Sequence, residues 1–168
     1  MTFIEFTGVI IPTTKTELEK KMSDCCSMEK KVISTDKAPK ALGPYSVATT
    51  AGQLIFTAGQ LGLDPVSGSL VEGGIQSQTH QALINLKVVL EAGGSGLEHV
   101  LKTTVFLQNI SDFASMNEIY GEFFPHHCPA RSAVQVAALP KQGLVEIEAI
   151  AVIPAKGNDG NDCLTSYY

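Results

Sequence analysis

Three charged side chains in the C-terminal part of this chain sit where charge is unusual. The stretch 128–153 reads CPARSAVQVAALPKQGLVEIEAIAVI and holds Arg131, the only arginine. Lysine and arginine together number 12, so lysines supply the remaining eleven positive charges. A guanidinium offers a planar fork that meets a carboxylate through two parallel hydrogen bonds, which an ammonium cannot do. A chain that uses lysine everywhere else and arginine once, just after Pro129-Ala130, points to Arg131 gripping an anionic ligand. Glu146 and Glu148 interrupt an otherwise apolar run. An isolated buried carboxylate is costly, so each must be paired, hydrogen-bonded or facing a polar cavity. Glu148 reads as solvated or structurally paired. Glu146 reads as a candidate for acid–base work, because partial burial shifts a carboxyl toward useful pKa values.

Other constellations carry less chemistry. His126-His127-Cys128 has metal-ligating atoms, but no second ligand pair lies at a usual spacing, so it reads as a polar loop. Gly93, Gly94 and Gly96 follow a helical pattern instead of opening one, so they read as a stop signal and not a phosphate loop. No lysine shows the apolar setting of a Schiff-base site; Lys141 lies in a turn. Asn117 sits in a helical pattern from which it could reach a ligand.

The composition narrows the class of protein. The chain has 168 residues, enough for one domain with a real core, and is 44% hydrophobic and 17% charged, which suits a globular protein. Its net charge of −5 and scattered lysines argue against a nucleic-acid partner. No apolar run is long enough to cross a bilayer, so no membrane association is expected. Cys25, Cys26, Cys128 and Cys163 form no disulfide framework, and a reducing, cytoplasmic setting is expected. The alternative is mitochondrial, against which stand Glu5, Glu17, Glu19 and the absence of arginine near the N-terminus.

The elements that must hold these residues follow from periodicity. Residues 1–29 read as an extension with a short helix over Lys15–Met22, residues 30–155 as the compact domain, and 156–168 as a loose tail. Strands are expected at Ser46–Thr50 and Gln53–Gly59, joined by an Ala51-Gly52 turn, and a short one at Ser69–Val71. Ile75–Ala92 reads as a helix stopped by Gly93-Gly94. Val100–Gln108 reads as a strand with Leu101, Thr103, Val105 and Leu107 on one face. Ser111-Asp112 is expected to cap a second helix whose stripe is Phe113, Met116, Tyr120, Phe123 and Phe124. Arg131–Leu139 and Leu144–Ile153 are expected to form a hairpin about Pro140–Gly143. The result is an α+β domain with a single mixed sheet and two helices on one face. The other face then needs a cover, and self-association supplies one.

Several runs match a known pattern: Pro129-Ala130-Arg131-Ser132, Val145-Glu146-Ile147-Glu148-Ala149, Gly43-Pro44-Tyr45-Ser46, Ala58-Gly59-Gln60 and Lys102-Thr103-Thr104-Val105. Over about Lys31–Pro154 the chain closely resembles the RidA/YjgF (RutC) family. The resemblance implies a chorismate-mutase-like fold, a homotrimer, sites in clefts between subunits, and no cofactor or metal. It implies 2-iminobutanoate/2-iminopropanoate deaminase activity, hydrolysis of reactive enamines and imines to 2-oxo acids and ammonia. By position, Arg131 would hold the substrate carboxylate and Glu146 would orient or activate water. Tyr45 would line the cleft and help position the substrate as the third catalytic residue, Asn117 would sit at its edge, and Gly59 and Ala133 would offer backbone groups. Ala58 and Ala133 stand where serine and cysteine are common, which bears on substrate preference. The rival readings are an RNA-acting protein, endoribonuclease or translation inhibitor, and a non-catalytic small-ligand or chaperone-like module.

Overall fold

Alternation along 145–152 organises the molecule: Val145, Ile147, Ala149 and Ala151 are buried, while Glu146, Glu148, Ile150 and Val152 are half-buried. A period of two puts these sets on opposite faces of a sheet. The computed structural model describes residues 28–155. Seven strands form one sheet: β1 (Lys30–Ile33), β2 (Ala48–Ala51), β3 (Leu54–Thr57), β4 (Gln60–Leu61), β5 (Val100–Leu107), β6 (Ala130–Gln135) and β7 (Val145–Val152). Two long helices, α1 (Gly74–Ala92) and α2 (Phe113–Phe123), pack against each other, and α1 packs on β7. The expectations for residues 1–27, with their short helix, and for 156–168 lie outside the described residues.

The strand order is β1-β2-β3-β7-β5-β6, with β4 beside β7. All pairs are antiparallel except β5–β6, so the sheet is mixed. The core lies between the sheet and the helices, where Ile55, Leu83, Leu86, Leu90, Leu107 and Ile147 are fully buried. The opposite face carries Phe56, 39% exposed, and Val134, 45% exposed, and nothing within the described chain covers it. β1 was not expected from the sequence; its pattern is almost wholly exposed and offers no apolar alternation.

The expected Arg131–Ile153 hairpin does not form. β5 lies between its two halves, with β6 parallel on one side and β7 antiparallel on the other. The reason is α2, which carries the chain back as the crossover a parallel pair requires. The Pro140–Gln142 segment does turn, as a 3-10 turn within the connection 136–144 that passes the end of β5. Lys141 there has φ 56° and anchors its Nζ to the Gly68 carbonyl at 2.6 Å.

The local signal holds at the end of α1 and fails at the start of α2 and in β5. At the end of α1, Ser95 N–H bonds to the Leu90 carbonyl and Gly94 N–H to that of Glu91, with Gly94 at φ 81°. That is the left-handed cap the glycine pair implied. At α2 the cap differs: Asn109 accepts from Ser111 N–H at 3.0 Å before a 3-10 turn, and Asp112 makes no side-chain cap. In β5 a bulge between Val100 and Lys102 turns Leu101 out, leaving it 51% exposed, so it does not share the Thr103 face. The short strand expected at Ser69–Val71 reduces to a single bridge, Leu70 to Leu63.

Candidate active site

Arg131 is built into the helix side of the sheet. It pairs with Thr103 of β5, whose side chain is fully buried beneath α2. Its guanidinium lies 4.4 Å from the centre of the Tyr120 ring and 5.5 Å from that of Phe113. It also donates to Asn117 Oδ1 at 2.7 Å. Phe113, Asn117 and Tyr120 stand at i, i+4 and i+7 of α2, one stripe of the helix. The Tyr120 hydroxyl shares a 2.7 Å hydrogen bond with Thr103 Oγ1, which fixes the ring under the cation. Burial pushes the Tyr120 phenol above its usual value, against the opposing pull of that bond and of Arg131. Among the described residues no carboxylate meets Arg131; the two ion pairs found are Lys87–Glu91 and Glu98–His99. Neutral partners therefore fix the guanidinium and leave its charge free for an outside anion.

Ala133 follows on the same side of β6. Val136 N–H bonds to the Leu107 carbonyl at 3.0 Å. Backbone groups alternate along a strand, so the N–H groups of Arg131 and Ala133 point off the free edge of the sheet. A donor at Ala133 thus accompanies the cation at Arg131.

Glu146 belongs to the other face. It pairs with Phe106 of β5 and with Leu61 of β4. Between β3 and β4 the pairing to β7 slips by one residue, from Phe56↔Ile150 to Gln60↔Ile147. This bulge hands the Ala149 N–H to Thr57 Oγ1 at 2.9 Å and brings Gly59 against Glu146. A Cβ at Gly59 would collide with the Glu146 carboxyl, so only glycine leaves the space that side chain fills. Half-burial raises the Glu146 carboxyl above its ordinary value, and the negative charge of Glu148 raises it further. Gly59 also lines a narrow cleft of about 30 Å³ with Tyr45, Leu42 and Gln60; the Tyr45 hydroxyl accepts from Leu42 N–H at 3.1 Å. Glu148 borders a separate depression of about 230 Å³ on the open face, with Phe56, Lys102 and Ile150.

Two half-sites result. Asn117 and Ala133 join Arg131; Gly59 joins Glu146, and Tyr45 shares with Gly59 a cleft that Glu146 itself does not line. Within one chain the halves lie on opposite faces, so they are not brought together. Phe113, Tyr120 and Thr103 were missed as the support of Arg131, since an aromatic stripe reads first as core. His126, His127 and Cys128 lie in the bend before β6, where Cys128 Sγ contacts the Phe124 carbonyl at 3.2 Å. Among the described residues no cluster of three His, Cys, Asp or Glu side chains is placed to hold a metal.

A family model described as Endoribonuclease L-PSP matches residues 35–153, which span both half-sites. The chain belongs to this family, the RidA/YjgF family. Among its RidA/YjgF relatives, a bovine protein named 2-iminobutanoate/2-iminopropanoate deaminase is 52% identical over 126 residues, covering 75% of this chain and 92% of the relative. A RutC family protein of Pyrococcus horikoshii is 53% identical over 122 residues, covering 73% and 97%. The crystal structure of RidA from an Antarctic Psychrobacter matches with a TM-score of 0.71 at 47% identity, covering 73% and 99%. The mixed sheet with two helices is thus the RidA/YjgF architecture.

Proposed function

We propose that this RidA/YjgF protein is a 2-iminobutanoate/2-iminopropanoate deaminase. It hydrolyses reactive enamine and imine intermediates to 2-oxo acids and ammonia. The observation that carries the reading is Arg131: a lone guanidinium, held by two aromatic rings and an amide, with no carboxylate of its own. Its ligand is a small carboxylate, and relatives at about 50% identity bear the deaminase name.

The chemistry needs little else. The 2-imino acid's carboxylate bonds to Arg131 and to the Ala133 N–H. Its C2 is already electrophilic, so no activated nucleophile is required. Water bonded to Glu146 attacks C2 while the carboxylate takes its proton and passes it to the imine nitrogen, giving a neutral carbinolamine. Glu146 then takes the carbinolamine hydroxyl proton and gives it to nitrogen, so the C2–O double bond forms as the C–N bond breaks, and ammonia leaves with the 2-oxo acid. A positioned group of this kind contributes about 100- to 10,000-fold. The raised carboxyl of Glu146 suits both directions of transfer. Tyr45 closes the cleft beside Gly59, and Asn117 keeps the guanidinium in plane.

The working molecule is a homotrimer whose site joins two chains. Support comes from the opposed half-sites, the open apolar face and the free edge of β6. A ring of three chains lets each Arg131 edge meet the neighbour's Glu146 face and closes without leftover edges. The test is ammonia release from enzymatically generated 2-aminoacrylate, with Arg131→Ala as control. Normal release by that variant removes the reading. The family description keeps RNA cleavage as the second reading; nuclease activity lost in Glu146→Gln, without imine hydrolysis, would favour it.

A further inference from the structure

Helix α1 buries two amide side chains on the face of the sheet opposite Glu146. Asn85 is 1% exposed and Gln78 is 7% exposed. Amides in a core need every donor and acceptor met. Asn85 Nδ2 donates to the Leu61 carbonyl at 3.0 Å and to the Leu63 carbonyl at 2.8 Å. Carbonyls two residues apart point the same way from an extended chain, and one NH₂ group has a donor for each. Gln81 Nε2 donates to Asn85 Oδ1 at 2.9 Å and so fixes the amide's orientation. Gln78 Oε1 accepts from Leu144 N–H at 2.9 Å. Gly62 lies directly on α1: a Cβ there would come within 2.6 Å of the Gln78 Cα.

These contacts surround one residue. Leu61 is the β-partner of Glu146, and Leu144 precedes Glu146 by two positions. Leu61 to Leu63 continue the segment whose Gly59 faces the Glu146 carboxyl. The bulge at 57–59 leaves β4 only two ladder residues, so the ladder alone fixes this segment weakly.

We infer that Asn85 and Gln78 are positioning residues for Glu146. Acting through the backbone of 61–63 and 144, they hold the Gly59 cradle closed around its carboxyl. The role rests on the deaminase reading for its kinetic consequence, though the placement of the carboxyl does not.

The experiment follows the Glu146 carboxyl by carbon-13 NMR titration in the full chain, beside steady-state kinetics. Variants are Asn85→Leu, the milder Gln78→Met, and Leu90→Ala, which opens a core cavity in α1 without removing an amide bond. In Asn85→Leu and Gln78→Met the carboxyl should titrate at lower pH as the cradle opens to water. kcat should fall about 10- to 100-fold, as small misplacements do, while KM, set by Arg131, moves less than about threefold. Leu90→Ala should lower the melting temperature yet keep the wild-type titration and kcat. If Asn85→Leu fails to fold, Gln78→Met decides. An unchanged Glu146 titration in the folded amide variants, or an equal change in Leu90→Ala, overturns the inference. If the wild type releases no ammonia, the deaminase reading fails while the titration still decides the positioning role.

Discussion

Arg131 and Glu146 stand on opposite faces of one sheet, flanking β5 through its residues Thr103 and Phe106. Odd separation along β5 forces this opposition. A site that uses both groups must therefore draw them from two chains, and each half can be tested separately.

The Arg131 half depends on a planar cation on an aromatic bed. Arg131→Ala should abolish ammonia release. Arg131→Lys keeps the charge but loses the fork and the stacking on Tyr120, so kcat/KM should fall about 100-fold, or about 2.7 kcal/mol. A lysine variant within a few-fold of wild type would show that charge alone suffices.

Tyr120 should separate ring from hydroxyl. Tyr120→Phe keeps the surface under Arg131 but frees Thr103 Oγ1 from its 2.7 Å partner. It should cost about 1 kcal/mol of stability, the loss of one buried hydrogen bond, with little change in KM. Tyr120→Leu removes the ring and should raise KM severalfold. Melting curves and Michaelis profiles read the two effects.

The Glu146 half sets the pH behaviour. The carboxylate must be ionised to take a proton from water, so activity should fall as pH drops through its raised pKa. Glu148→Gln removes the lesser cause of that rise, and the acid limb should move to lower pH while burial keeps part of the shift. Stability runs the other way. A carboxyl raised on folding binds more protons in the native state between its unfolded and folded pKa values, so stability falls as pH rises through that window. Glu146→Gln should therefore melt at a higher temperature than wild type at pH 7 while losing hydrolysis. Melting temperatures across pH check the sign.

Gly59 links the halves of that argument. Gly59→Ala puts a methyl where the Glu146 carboxyl lies. The side chain must swing away, and kcat should fall about 100-fold with near-normal binding of a 2-oxo acid, which calorimetry reads.

Much of this was legible from residue order. The glycine stop of α1, the β2–β3 turn at Gly52 and the strands carrying Arg131 and Glu146 follow local rules. What was not legible is pairing. Pro140–Gly143 reads as a hairpin turn, yet nothing local in it says that β5 will insert between β6 and β7. The Leu101 bulge and the shift at 57–59 are likewise set by partners far along the chain. The Arg131 support was hidden because Phe113 and Tyr120 have the spacing of ordinary core residues. Gln78 and Asn85 lie among the apolar positions of α1, where their polarity was the overlooked signal.

Subunit mixing reaches the central claim most directly. Arg131→Ala and Glu146→Gln chains, each inactive alone, are unfolded together in equal amounts and refolded. If the site joins Arg131 of one chain to Glu146 of the next in a ring, about a quarter of the sites regain both native groups, since each chain is the required one half the time. Ammonia release near a quarter of wild type is the expected result. Mixed trimers that form but stay inactive would contradict the account.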